Sequence, residues 1–446
     1  MWRTRGWRTC RFAPRLRDLL ARIEIEGEDF ALASGGSSLG PAGNAAAAAA
    51  AGAEKKAAAT DVYTEASPEL LAARAALFAF STERAALRLA GVKRRRESEQ
   101  LAAEADADCA AVYEGLRRLG IVGSQLGDER PLACVRCAPN AGGLVATGSL
   151  APAVKVWDVA SMELQGLLGG SPGVGHAERS TGLDWHPSAF ASPAPPLLAT
   201  ASADSTAKIW QVTASRGGGD GGGKSTAAGT CAVTLTGHKH RLGMVAFHPS
   251  GEYVGTASFD RTWRLWHAET GREVLLQDGH VKEVYFLAFQ KDGALVASGD
   301  FAGVGNVWDL RAGRKVMALT GHVKRVVAGD FAPNGFQVVT GGDDHTARVW
   351  DLRMRKCSYT LPGHSSLISE TRFDPSGEAL LTTSFDGSAK VWGCRDWRKL
   401  ADLRGHEGKV MAGDWAPGGA ADSSGRGALG VVTVGFDRTL KLWEQH

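Results

Sequence analysis

Asp343, Asp344 and His345 stand together in the stretch TGGDDHTARVWD, with Arg348 and Trp350 just beyond. Two carboxylates beside an imidazole are raw material for a metal site or for general acid and base catalysis. Asp344 lies six residues before Trp350, and the same offset separates Asp204 from Trp210, Asp260 from Trp266, Asp386 from Trp392 and Asp437 from Trp443. The neighbouring histidine does not repeat: Arg261, Gly387 and Arg438 take the place of His345. A duplicated metal site would duplicate all its ligands, so the recurring aspartate is read as structural.

The elements that carry these residues repeat with them. Gly-His pairs begin at residues 237, 279, 321, 363 and 405, each 42 residues after the last, and a sixth begins at 175. Twelve residues past the glycine stands Pro187, Pro249, Pro333, Pro375 or Pro417, with Lys291 in the remaining unit. Seven units close on Trp157, Trp210, Trp266, Trp308, Trp350, Trp392 and Trp443; the first has no Gly-His but keeps the spacing through Gly127, with Asp128 in the histidine's place. Runs such as RLGMVAF, YVGTAS, TWRLW and EVLLQ, rich in β-branched and aromatic residues and bounded by turn residues, imply four strands per unit. A repeat of this length and pattern resembles the WD repeat, which implies an all-β, seven-bladed β-propeller over residues 121–446.

That resemblance also implies a buried hydrogen-bonded set in each blade: histidine, serine or threonine, aspartate and tryptophan. Three sets carry over whole: His176, Ser202, Asp204 and Trp210; His238, Ser258, Asp260 and Trp266; and His364, Ser384, Asp386 and Trp392. Two lack the hydroxyl, His322, Asp344 and Trp350 having Gly342, and His406, Asp437 and Trp443 having Gly435. Ala151 and Ala302 fall where the first and fourth units should have the aspartate, so packing is expected to carry more of the load in these incomplete blades.

The last unit ends on its third strand, so its outer strand must come from elsewhere, and residues 121–126 of IVGSQLG are expected to close the ring. Insertions at 188–196, 213–229 and 418–428 fall in connections that share one face of a propeller. The opposite face, built from the Gly-His loops and Asp turns, stays nearly regular. It would display Lys239, Arg241, Arg261, Lys282, Lys324, Arg325, Lys409 and Arg438 beside Phe259, Phe385 and Phe436, a mixture suited to a protein partner or an RNA backbone. Each of these cations is equally read as a solvated loop charge.

Other features do not point to chemistry. GGDGGGKS matches a phosphate loop through Gly218, Gly223, Lys224 and Ser225, but no helix fits between it and the strand that follows, so it is read as a linker. Cys134 and Cys137 have no second pair, and seven scattered cysteines fit a reducing compartment. No nucleophile elbow, HExxH or kinase signature occurs; no catalytic, cofactor or metal residue is expected, and the chain is read as no enzyme. Fifty-one basic against 48 acidic side chains leave a net charge of +3, so any polyanion contact must be local. No apolar run approaches the eighteen residues that cross a bilayer, and no membrane contact is expected.

Residues 1–66 are read as a low-complexity, disordered tail, with an Arg-rich start and an alanine run from 45 to 51. Residues 67–120 are expected to form two or three helices against a side of the propeller, opening on Ser67 as N-cap and Pro68 at the first helical position. The run Lys93–Arg96 is either a nuclear import signal or a solvated face.

LRRLGIVGSQLGDERPL, FHPSGEYVGTASFDRTWRLW, GRKVMALTGHVKRV and GHEGKVMAGDW together resemble the WD-repeat proteins of the U4/U6 small nuclear ribonucleoprotein, which process pre-mRNA. The likeness runs from about Glu69 to the C-terminus. It implies a nuclear, non-catalytic scaffold that binds other U4/U6-specific proteins and a cyclophilin-type isomerase, helping assemble the U4/U6·U5 particle, with the U4/U6 RNA reached indirectly through them. Residues 1–66 lack the family's Gly-Glu-Pro and Leu-Phe-Gly motif, so contacts through that module are not implied. The alternative is a WD-repeat adaptor of another complex, such as a ubiquitin-ligase substrate receptor or a chromatin subunit.

Overall fold

The structure, a computed structural model, describes residues 67–445 except 140–142, 170–173, 190, 192–194, 214–226 and 422–426. The tail 1–66 and the phosphate-loop match at Lys224 lie outside the described residues.

In the unit that follows Gly237, strands Leu242–Phe247, Tyr253–Ser258, Trp263–His267 and Glu273–Gln277 pair antiparallel in sequence order. The first three are buried almost throughout, and only the fourth alternates exposed and buried residues. That gradient follows from a sheet packed on both faces near an axis and wetted at its rim. Seven such sheets stand radially, making a seven-bladed β-propeller whose first strands face one another around a channel. The cores lie between adjacent blades: Trp266, for example, packs with Ala199, Ile209 and Leu235 of the preceding sheet. The first two blades are also joined at their outer strands, where Gly166 and Leu167 pair parallel with Ala227 and Ala228.

The ring closes through strand Leu119–Leu126, slightly longer than residues 121–126, which pairs antiparallel with Thr439–Gln445 and completes the last blade. A bulge between Ile121 and Gly123 bends it to follow the blade.

Helix α1 spans Pro68–Glu97 and α2 spans Glu99–Arg117. The Ser67 side chain accepts the Leu70 N–H at 3.1 Å, and Pro68 needs no N–H partner at the first turn. Leu70, Ala73, Arg74, Leu77 and Ser81 are the buried positions of α1, spaced so that they share one face. Leu70, Ala73 and Leu77 pack in one cluster with Leu265, Leu275 and Leu310, and burying each leucine contributes about 2 kcal/mol. The Arg88 guanidinium forks onto Asp292 at 2.9 and 2.7 Å and also donates to the Asn334 carbonyl at 2.7 Å. Tyr113 and Asp106 of α2 bind Arg395. Asp292, Leu310, Asn334 and Arg395 lie in loops opposite the Gly-His loops, while Leu265 and Leu275 lie in strands, Leu275 in the outermost one, so the helices pack against the outer side of the propeller at the rim of the face those loops form.

Candidate functional site

The Gly-His loops at Gly237, Gly321, Gly363 and Gly405 start with a glycine set against an indole. A Cβ on Gly363, whose φ is +159°, would meet the Trp392 ring at 2.9 Å, and one on Gly237, φ +148°, would meet Trp266 at 3.2 Å. The histidine then turns inward. Nδ1 of His238 lies 2.7 Å from the Asp260 carboxylate and Nε2 lies 2.7 Å from Thr256 Oγ1, which accepts the Trp266 indole N–H at 2.8 Å. The indole donates to the threonine oxygen, and the imidazole bridges that hydroxyl and the Asp260 carboxylate. Asp260 also accepts from the backbone of Lys239 and Thr262, and so holds the tight turn.

The hydroxyl in this chain is not Ser258. Ser258 accepts the Asp260 N–H at 3.1 Å and donates to the His240 carbonyl, supporting the turn from behind. The same correction applies to Ser202 and Ser384, whose places in the chain belong to Thr200 and Thr382. Gly342 and Gly435 therefore cost nothing, because Thr340 links His322 to Trp350 and Thr433 links His406 to Trp443. The blade with Ala302 is also linked, through His280, Ser298, Trp308 and an aspartate two residues early, Asp300. In the first blade Trp157 donates to Thr147, while Asp128 takes bonds from Ser149 and Lys155.

Burial alone would raise the Asp204, Asp260 and Asp386 carboxyls, but hydrogen bonds from histidine and the turn residues outweigh it and hold all three well below the usual range. Burial keeps His322, His364 and His406 below their ordinary value and neutral, against the pull of their aspartates. His345, which raised the question of chemistry, sits in the turn at φ +66° outside this chain of bonds. Among the described residues no group of three or more histidines, cysteines and acids is arranged to hold a metal ion.

The displayed side chains fall into separate groups on the Gly-His face. Lys239, Arg241, Phe259 and Arg261 line one concave site of about 640 Å³ with Ala203, Ser205, His240 and Glu283. The Arg241 guanidinium lies 4.1 Å from the Phe259 ring centre, and Phe259 meets Phe301 edge-on at 5.3 Å. Phe301 stacks on Tyr285 and carries Arg325 at 5.4 Å, while Arg325 pairs with Asp343 at 3.3 Å. Farther round, Lys409 sits 5.0 Å over Phe385. Lys282, Lys324, Phe436 and Arg438 do not line the concave site; Phe436 is 49 % exposed.

Six stretches of the chain, residues 173–211, 229–267, 271–309, 313–351, 355–393 and 397–444, match the family model described as WD domain, G-beta repeat, together more than half of the sequence. The chain belongs to the WD40 family. Among curated WD40 relatives, an uncharacterised WD repeat-containing protein of Schizosaccharomyces pombe is 38% identical over 202 residues, 45% of this chain and 39% of that protein. U4/U6 small nuclear ribonucleoprotein PRP4 of Saccharomyces cerevisiae is 33% identical over 223 residues, 49% of this chain and 43% of the relative. A PRP4-like protein of Arabidopsis thaliana is 39% identical over 151 residues, 34% of this chain and 25% of the relative. The chain thus spans less than half the length of each of these relatives.

Within this WD40 ring two features escaped the sequence reading. Tyr285 and Phe301 complete the aromatic cluster, and Phe301 could have been found, since it precedes Trp308 by the seven residues that separate Phe259 from Trp266. The channel wall carries Asp184, Asp330 and Asp414, each accepting a backbone N–H from the next blade, of Phe247 at 2.6 Å, Phe373 at 2.9 Å and Cys137 at 2.8 Å. Their signal was an acid just before the aromatic residue of the first strand, in LDW, GDF and GDW. Arg136 and Glu370 pair in the same channel at 2.5 Å.

Proposed function

We propose that this WD40 chain is a nuclear, non-catalytic scaffold of the U4/U6 and U4/U6·U5 small nuclear ribonucleoproteins in pre-mRNA splicing. The observation that carries this reading is the 33% identity over 223 residues to a U4/U6 small nuclear ribonucleoprotein protein, joined by the match to the plant PRP4-like protein. The geometry agrees with it, because the acids and imidazoles that looked reactive are engaged in holding turns. Partner proteins, other U4/U6-specific components and a cyclophilin-type isomerase, bind through the propeller, and the RNA is reached through them. The Gly-His face is the partner surface, since the helices pack at the rim of the other.

The test is to purify the tagged protein from its native cells and identify the RNAs and proteins that accompany it. Recovery of U4 and U6 small nuclear RNA with their proteins is the expected result. Recovery of ubiquitin-ligase or chromatin subunits without small nuclear RNA would overturn it.

A further inference from the structure

We propose that the concave site lined by Lys239, Arg241 and Arg261 takes an acidic peptide segment of a partner protein, whose carboxylates pair with these three cations. The proposal rests on the scaffold reading and specifies what one part of its surface binds.

The charges in this site are uncommitted. Several other cations are paired with carboxylates, Arg325 with Asp343, Arg264 with Glu273 at 2.5 Å and Arg88 with Asp292. Among the described residues Lys239, Arg241 and Arg261 make no ion pair, although they line the same wall. The Asp260 carboxylate beside them is no counter-ion, for its two oxygens already serve His238, the Lys239 N–H and the Thr262 N–H and hydroxyl. Three cations beside a volume of about 640 Å³, within the range of ligand sites, make an electrostatic cradle for anions.

The site is also set in advance of binding. Arg241 is stacked on Phe259, so less side-chain freedom remains to be lost. Arg261 occupies a left-handed turn position at φ +70°, which fixes the direction in which its side chain leaves the rim. Glu283, which also lines the site, repels carboxylates, so the part of the lining that attracts them is Lys239, Arg241 and Arg261.

A peptide fits this surface better than single-stranded RNA. Base stacking needs open aromatic faces, whereas Phe259 already carries Arg241 and Phe301 carries Arg325 and the Tyr285 ring. What remains open is charge without a stacking platform.

The experiment measures fluorescence anisotropy of labelled octaglutamate, octalysine and octauridylate with the full chain at low ionic strength. Octaglutamate should bind and octalysine should not. Arg241→Glu and Arg261→Glu should each weaken octaglutamate by about tenfold or more, while Lys356→Glu, the same charge change on the exposed outer strand of the fifth blade, stays within about twofold. Arg261→Lys should retain most of the binding, and melting curves of all variants should superpose near that of the unaltered protein. Equal losses for Lys356→Glu and Arg241→Glu would overturn the proposal by reducing it to net charge. So would tighter binding of octauridylate, lost in the same variants, which would make the surface an RNA site. Native purification reads the scaffold function through small nuclear RNA, and the anisotropy reads this site through a defined peptide, so either can fail while the other stands.

Discussion

Thr256 stands ten residues before Trp266 in the chain, and its hydroxyl oxygen lies 2.8 Å from the indole nitrogen. The same oxygen is 2.7 Å from His238 Nε2, so a single atom joins the core of the blade to the loop that precedes it. Thr256→Val removes that atom while keeping the shape, and leaves both a buried indole N–H and an imidazole nitrogen without partners. A loss of about 2 to 3 kcal/mol is expected, against about 1 kcal/mol for Ser258→Ala, which deletes only the support behind the turn. Melting temperatures of the two variants decide the order; a larger effect at Ser258 would contradict the assignment.

The turn separates stability from display at adjacent positions. Asp260 organises it through four hydrogen bonds, whereas Arg261 occupies φ +70°, a region that costs a non-glycine residue about 1 kcal/mol. Asp260→Ala should therefore lower the melting temperature clearly, while Arg261→Gly should leave it unchanged or raise it. In a pull-down with the partners recovered from native cells the order should reverse, with Arg261→Gly losing more. Equal losses in both assays would refute the division.

Why the hydroxyl was misplaced has a physical answer. Thr256 and Ser258 are two apart on one strand and so share a face, and alternation cannot say which of them the histidine reaches. The repeat itself held the answer: Thr147, Thr200, Thr256, Ser298, Thr340, Thr382 and Thr433 each stand ten residues before their tryptophan, in all seven units. The blade count and the closing strand were legible because spacing and a missing outer strand are properties of the chain alone. The docking of the helices was legible only as an apolar stripe, since the loops that receive Arg88 come from residues 204 and 246 positions away. The concave site was legible as residue types but not as a group, because Lys239, Arg261 and Glu283 meet only once blades stand side by side.

Acid should unfold the protein in two stages. Burial holds His322, His364 and His406 below their ordinary value and takes His248, fully enclosed and donating to the Gly293 carbonyl, down to about 4. A histidine whose value falls on folding binds fewer protons folded than unfolded; its contribution is full above about pH 6.5 and shrinks as the pH drops toward the folded value. The blade aspartates Asp204, Asp260 and Asp386 are held low in spite of burial, so their contribution is lost only below about pH 4. Melting temperature should thus be level above neutrality, decline from pH 6.5 and fall again below 4. A melting temperature that rose between pH 7 and pH 5 would show that these histidines are not buried in the neutral form.

Arg88 pins α1 across two blades. Its Nε and Nη2 face Asp292, which is 5 % exposed, while Nη1 reaches the Asn334 carbonyl of the next blade. Removing the guanidinium strands a buried carboxylate, so Arg88→Ala should cost on the order of 3 kcal/mol, concentrated where the helix meets the loops. Arg88→Lys keeps a charge for Asp292 but has no planar fork to span both acceptors, and should fall between. Hydrogen exchange locates the effect: amides of the helix that follows Pro68 should exchange faster in Arg88→Ala, while those of the strand Thr439–Gln445, in the last blade, should not. If α1 exchanges as slowly in the variant as before, the apolar contacts of Leu70 and Leu77 hold the helix without the latch.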